Sequence, residues 1–137
     1  LVTILYRIEG EPVTRGSTDF TDVEHGRWYT KAVAWAASKD IVNGYGGGKF
    51  GPNDPVTREQ LTTILYRYTA YKGESTAAFS GNLNRFKDAA SVSNYAVDAA
   101  NWAVGEGIIN GSGDLFMPKS NATRAQVAAI IHRYLAG

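Results

Sequence analysis

The chain has 137 residues, 44% apolar and 20% charged, a composition that suits a globular fold with a real core rather than a disordered one. A net charge of +1 with scattered Lys and Arg argues against nucleic acid as a partner. No run nears the roughly 18 apolar residues a membrane helix needs, and zero cysteines exclude a disulfide scaffold, a cysteine nucleophile and thiolate metal sites.

In chain order, Leu1, Ile4, Leu5 and Ile8 fall at i, i+3, i+4 and i+7, the stripe of a one-sided helix. The chain therefore opens inside a helix and is expected to be a fragment of a longer protein. Phe20-Thr21-Asp22-Val23 follows, then Trp28-Tyr29 and a short helix marked by Ala32, Trp35 and Ala36. Alanine lets another helix approach closely while the tryptophan fills the gap. Asn43-Gly44 opens a glycine-rich turn or minimal hairpin that runs to Phe50, and Pro52 keeps the chain extended after it. Thr57-Arg58-Glu59-Gln60 starts a long helix striped by Leu61, Ile64, Leu65 and Tyr68. The link from about Lys72 to Arg85, rich in Gly, Ser, Ala and Asn, reads as a boundary.

Beyond that link the pattern recurs. Phe86-Lys87-Asp88-Ala89 matches the Phe20 element, Trp102 matches Trp35, and Asn110-Gly111 matches Asn43-Gly44. Phe116-Met117-Pro118 matches Phe50-Gly51-Pro52, and Thr123-Arg124-Ala125-Gln126 matches the Thr57 element. The offset is 66 or 67 throughout (20 to 86, 35 to 102, 57 to 123). Val127, Ile130, Ile131 and Tyr134 repeat the long stripe, and Leu1 to Arg7 matches Leu61 to Arg67. The chain is thus a helix from a truncated repeat (1–15) and two full repeats (16–74 and 75–137). Three helices with one apolar face each predict a small all-α bundle. The helix from Leu1 to Glu9 is expected to take the third position. Gly107 is placed to cap the second short helix.

The start of each long helix is where chemistry concentrates. Thr57 with Gln60, and Thr123 with Gln126, read as capping boxes. The arginines do not fit that account, because a cation at the first helical position opposes the helix dipole. Either a carboxylate of the fold, Asp22 or Asp88, pairs with Arg58 and Arg124, or the arginines await an anionic ligand. Free helix amides and a guanidinium fork together suit a carboxylate. Trp28, Tyr29, Tyr45 and Tyr95 lie off the stripes, either as core lids or as platforms for sugar C–H faces. Tyr45-Gly46-Gly47-Gly48-Lys49 offers close backbone approach to a ligand. No metal or cofactor is expected. His25 and His132 lack partner ligands, Asn53-Asp54 lacks the spacing of a calcium loop, and Asp40, Glu59, Asp98 and Glu106 read as helix ends or solvated faces with no acid–base pair among them.

Phe20-Thr-Asp-Val, Ile41-Val-Asn-Gly, Phe50-Gly-Pro and Val56-Thr-Arg-Glu-Gln, with their second copies at Phe86, Gly107, Phe116 and Ala122, resemble the S-layer homology family in order and spacing. The resemblance implies a pseudo-threefold helical bundle that anchors an exported protein at the bacterial cell wall. It implies non-covalent binding of secondary cell-wall polysaccharide, often a pyruvylated one, with no catalysis. By motif position it makes Arg58 and Arg124 ligand contacts. The Gly44, Tyr45, Gly46 turn and the Gly111, Ser112 turn line grooves, with Trp28 and Tyr95 as aromatic partners. Asp22 and Asp88 become internal residues that order the loop. Two departures stand out. Gln60 and Gln126 replace the usual Glu, and the second copy has Ala89 for Val and Tyr95 where the first has Trp28. Other readings are a surface-layer assembly module without a glycan pocket, associating with other repeats of this kind, or an appendage of a surface enzyme whose catalysis lies elsewhere.

Overall fold

Every regular element among the described residues is helical, so the fold is all-α as expected. The structure is a computed structural model and describes residues 2–10, 34–36, 41, 56–78, 81–111 and 113–136. The chain divides into two units, Leu1–Asp54 and Pro55–Gly137.

In the first unit, helix α1 (Val2–Ile8) buries Leu5 and Tyr6. The Tyr6 ring meets Trp35, on the helical stretch 34–36, with centroids 5.7 Å apart at 54°. Ile41 is buried, and its amide donates to the Ala36 carbonyl at 2.9 Å.

The second unit repeats this arrangement in fuller form. Helix α2 (Arg58–Tyr71) is followed by 3-10 turns at Asn82–Arg85, Ala89–Ser91 and Asn94–Ala96, then by α3 (Val97–Gly105) and α4 (Arg124–Ala136). The α2 stripe is real: Leu61, Leu65 and Tyr68 are fully buried, each contributing roughly 1.5–3 kcal/mol. Thr62, Thr63 and Thr69 are buried beside them, and each hydroxyl donates one turn back, to the carbonyls of Arg58, Glu59 and Leu65 at 2.7–2.8 Å. A buried hydroxyl satisfied in that way costs little. Tyr66 meets Trp102 edge-on at 5.8 Å, the counterpart of the Tyr6–Trp35 contact. Ile108 donates to Ala103 at 2.9 Å as Ile41 does to Ala36. Helices α1 and α2 therefore each pack on the short helix of the following repeat.

Helix α3 carries the small residues Ala99, Ala100 and Ala103 on its buried side. It ends as the sequence predicts. Gly107 has φ +72, its amide bonds Val104 at 3.1 Å, and the next amide reaches Ala103, which together form a Schellman motif. Buried Asn101 accepts from the Leu83 amide at 2.9 Å and ties the first 3-10 turn to α3. Helix α4 buries Ile130 and Ile131, and Tyr134 reaches both Trp102 and the Thr69 hydroxyl.

Candidate binding site

The loop after α3 is pinned from several sides. Asp88 takes the amides of Phe116 and Met117, one on each carboxylate oxygen, both at 2.8 Å. Lys87 donates its amide to the Asp114 carbonyl at 2.8 Å, Arg85 reaches Asn110 O, and Arg133 reaches Ile108 O. Phe86 meets Phe116 edge-on at 5.7 Å. Gly111 sits at φ +75 against this ring. A Cβ there would lie 2.5 Å from Phe86 Cε1 and 2.7 Å from the Leu115 carbonyl, so only glycine fits.

This loop closes over the start of α2. Thr57 and Asn121 form an antiparallel bridge, Ala122 donates to Val56 at 2.8 Å, and the amides of Arg58 and Glu59 donate to Ser120 O and Pro118 O at 2.9 and 3.0 Å. The capping box is complete, with Gln60 N to Thr57 Oγ1 at 3.2 Å and Thr57 N to Gln60 Oε1 at 2.9 Å. The sequence reading of free helix amides as part of a carboxylate receptor is therefore corrected at α2. The loop occupies the first two amides and the cap occupies the third.

Arg58 remains. It is buried, with Nε donating to the Phe116 carbonyl at 2.8 Å and its guanidinium 5.8 Å from the centre of the Phe116 ring. Burial lowers its pKa, Asp88 raises it and Arg133 lowers it. A guanidinium so far above neutrality stays charged. Asp88, whose two oxygens each take an amide, influences it without a direct ion pair among the described residues. Neither Nη group donates a hydrogen bond among the described residues, and neither is sealed from solvent.

Glu59 lies at a helix end, one of the two places expected for it, but it is not solvated: it is 2% exposed. Oε1 accepts the Ser93 amide at 3.1 Å and Oε2 meets Lys119 Nζ at 3.2 Å, while Lys119 Nζ also contacts Ser93 Oγ. Burial pushes its pKa up, but hydrogen bonds from Ser93, Tyr95 and Lys119 outweigh that and hold the carboxyl below its ordinary value. Lys119 and Ser93 are residues that sequence reasoning passed over. One signal for them existed: the matching position in the other repeat is Ala125, so Glu59 is not needed for the cap.

Of the residues expected to bind ligand, Arg58 and Tyr95 both lie at the α2 start, Arg58 on the Phe116 carbonyl and Tyr95 by Glu59. Tyr95 is exposed, whereas Gly111 packs inward on Phe86. Arg124 begins α4, whose own capping box is formed by Thr123 and Gln126 at 3.0 and 3.1 Å. Trp28, Gly44, Tyr45, Gly46 and Ser112 lie outside the described residues, as does Asp22. Among the described residues no cluster of His, Asp or Glu could hold a metal ion, and no helix is long and apolar enough to cross a membrane.

The S-layer homology domain matches residues 19–62 and 85–128. The chain is 40% identical over 122 residues to the exoglucanase XynX of Acetivibrio thermocellus, covering 85% of this chain and 11% of that protein. It is 30% identical over 129 residues to the S-layer protein sap of Bacillus anthracis, covering 94% of this chain and 15% of that one. It is 26% identical over 120 residues to a cellulosome-anchoring protein of A. thermocellus, covering 87% of this chain and 26% of that one. The chain thus spans a small part of the length of these relatives. With two family matches along a helical chain, and surface-layer and anchoring proteins among its relatives, this protein belongs to the S-layer homology domain family, whose modules anchor proteins at the cell surface.

Proposed function

We propose that the chain attaches a surface protein to the bacterial wall by binding secondary cell-wall polysaccharide through an acidic group, such as the carboxylate of a pyruvate ketal, held by Arg58. The observation that carries this reading is the state of Arg58. Nε is fixed on the Phe116 carbonyl, which leaves a preset fork with its Nη donors open among the described residues. Tyr95, with its ring exposed, is the sugar-facing partner. Arg124 is the matching contact by motif position at α4, without the loop that covers α2. Trp28, Gly44, Tyr45 and Gly46 in the first repeat and Ser112 beside Gly111 in the second are the further contacts of this reading. The repeats in this reading run 16–74 and 75–137, behind the helix of 1–15, in a pseudo-threefold bundle outside the cell. Any catalysis belongs to the anchored protein.

A second reading, assembly with other repeats of this kind, draws on α4. Ala128, Ala129 and Leu135 are exposed where the matching Thr62, Thr63 and Thr69 of α2 are buried. Pull-down on purified wall polysaccharide, before and after chemical removal of pyruvate, separates the two. Glycan binding predicts loss of binding when the pyruvate is removed. It also predicts a roughly 10–100-fold weaker interaction for Arg58→Ala/Arg124→Ala with its fold intact. Equal binding in both comparisons favours assembly.

A further inference from the structure

Glu59 has no part in the reading above, yet it is the one buried carboxylate among the described residues. A carboxylate taken from water is costly unless its lone pairs are filled. Here the Ser93 amide at 3.1 Å and Lys119 Nζ at 3.2 Å fill them, which also brings Tyr95, two residues after Ser93, to the same carboxylate, where its hydroxyl helps to hold the charge. Two of these partners belong to surface side chains, Tyr95 being 53% exposed and the Lys119 side chain 61%. The start of α4 forms the same capping box with Ala125 at this position, so helix formation does not require the charge. What Glu59 adds is an anchor below the surface for one aromatic ring and one ammonium. Both side chains would otherwise lose rotamer freedom when a ligand bound, and fixing them beforehand reduces that loss.

We infer that Glu59 is a positioning residue, which holds Tyr95 and Lys119 as a rim for a sugar unit next to the acidic one on Arg58. The ring would lie on the C–H face of that sugar and the ammonium would donate to its hydroxyls. This rests on the glycan-binding reading. The test is calorimetric titration of the full chain with purified pyruvylated wall polysaccharide, for Tyr95→Ala, Glu59→Ala, both together and Glu59→Gln, with a melting curve for each.

Tyr95→Ala is expected to weaken binding about tenfold. Glu59→Ala should come close to it, and the pair should fall well short of the product of the two, because the second change displaces a ring already absent. Glu59→Gln keeps an acceptor and should lie between Glu59→Ala and wild type; it decides the matter if Glu59→Ala does not fold. With ring-labelled tyrosine, the Tyr95 resonance should move in the Glu59 variants before ligand is added. If Tyr95→Ala weakens binding while both Glu59 variants bind like wild type, the positioning role is wrong and the glycan reading stands. If Tyr95→Ala has no effect, Tyr95 is no sugar platform and the inference falls with it.

Discussion

The two long-helix starts of the second unit carry nearly the same four residues and end in different surroundings. Thr57-Arg58-Glu59-Gln60 and Thr123-Arg124-Ala125-Gln126 both close a capping box at 2.9–3.2 Å. At α2 the loop of the next repeat covers the start, takes the amides of Arg58 and Glu59, and buries both side chains. At α4, Thr123, Ala125 and Gln126 are exposed, and no carbonyl among the described residues accepts from the Ala125 amide. The lesson is that the cap is a local property of the motif, whereas the site is made by the neighbouring repeat. The boundary between the two units falls at 54 and 55, just before the α2 cap, so each unit groups a long helix with the short helix of the repeat after it.

The sharpest way to break this contrast is to disrupt the cover. Gly111→Ala forces an overlap with Phe86 and the Leu115 carbonyl at a left-handed backbone position, and should cost about 2–4 kcal/mol. Hydrogen exchange would show the consequence. The Arg58 and Glu59 amides should be protected and Ala125 open in the wild type, with that gap narrowing in the variant. An unchanged gap would mean that the loop does not shield α2.

A smaller effect isolates Glu59. Its folded pKa lies below the ordinary 4.5, so the unfolded chain binds the proton more readily. The stabilisation it gives is complete above that ordinary value and is lost as pH falls through the folded one. Glu59→Gln should lower stability at pH 7 by about 1–3 kcal/mol, and its melting temperature should fall less than that of the wild type on acidification below about pH 4.5. Ala125→Glu, with no described cover, should show no comparable acid dependence.

The smallest effect concerns Met117, a non-glycine residue at φ +60 whose counterpart in the first repeat is Gly51. A left-handed side chain costs roughly 1–2 kcal/mol, and glycine gives back about half of that in chain entropy. Met117→Gly should therefore raise stability by up to about 1 kcal/mol, read as a modest rise in melting temperature. A fall would mean that the Met117 side chain contributes packing worth more than the strain.

What was legible in the sequence is what depends on near neighbours. The stripes of α2 and α4, both capping boxes and the Gly107 helix end follow from spacings of a few residues, and the duplication exposes them twice. The partners of the site do not follow from such spacings. Arg58 finds a backbone carbonyl 58 residues away, an atom with no side-chain signature, and Glu59 finds Ser93 and Lys119 at separations of 34 and 60. The expectation of free amides at α2 failed for the same reason, because Pro118 and Ser120 reach them only through the bridge between Thr57 and Asn121. The loop-ordering role of Asp88 follows from the family resemblance rather than from spacing, and its carboxylate does take the Phe116 and Met117 amides.

The most direct test of the account is the affinity of Arg58→Lys for pyruvylated wall polysaccharide. Lysine keeps the charge but cannot hold the Phe116 carbonyl and present a planar fork at once. With the melting temperature close to that of the wild type, binding should fall at least about tenfold, and the preference for pyruvylated over depyruvylated polymer should shrink with it. Wild-type affinity and an unchanged preference in Arg58→Lys would contradict the account.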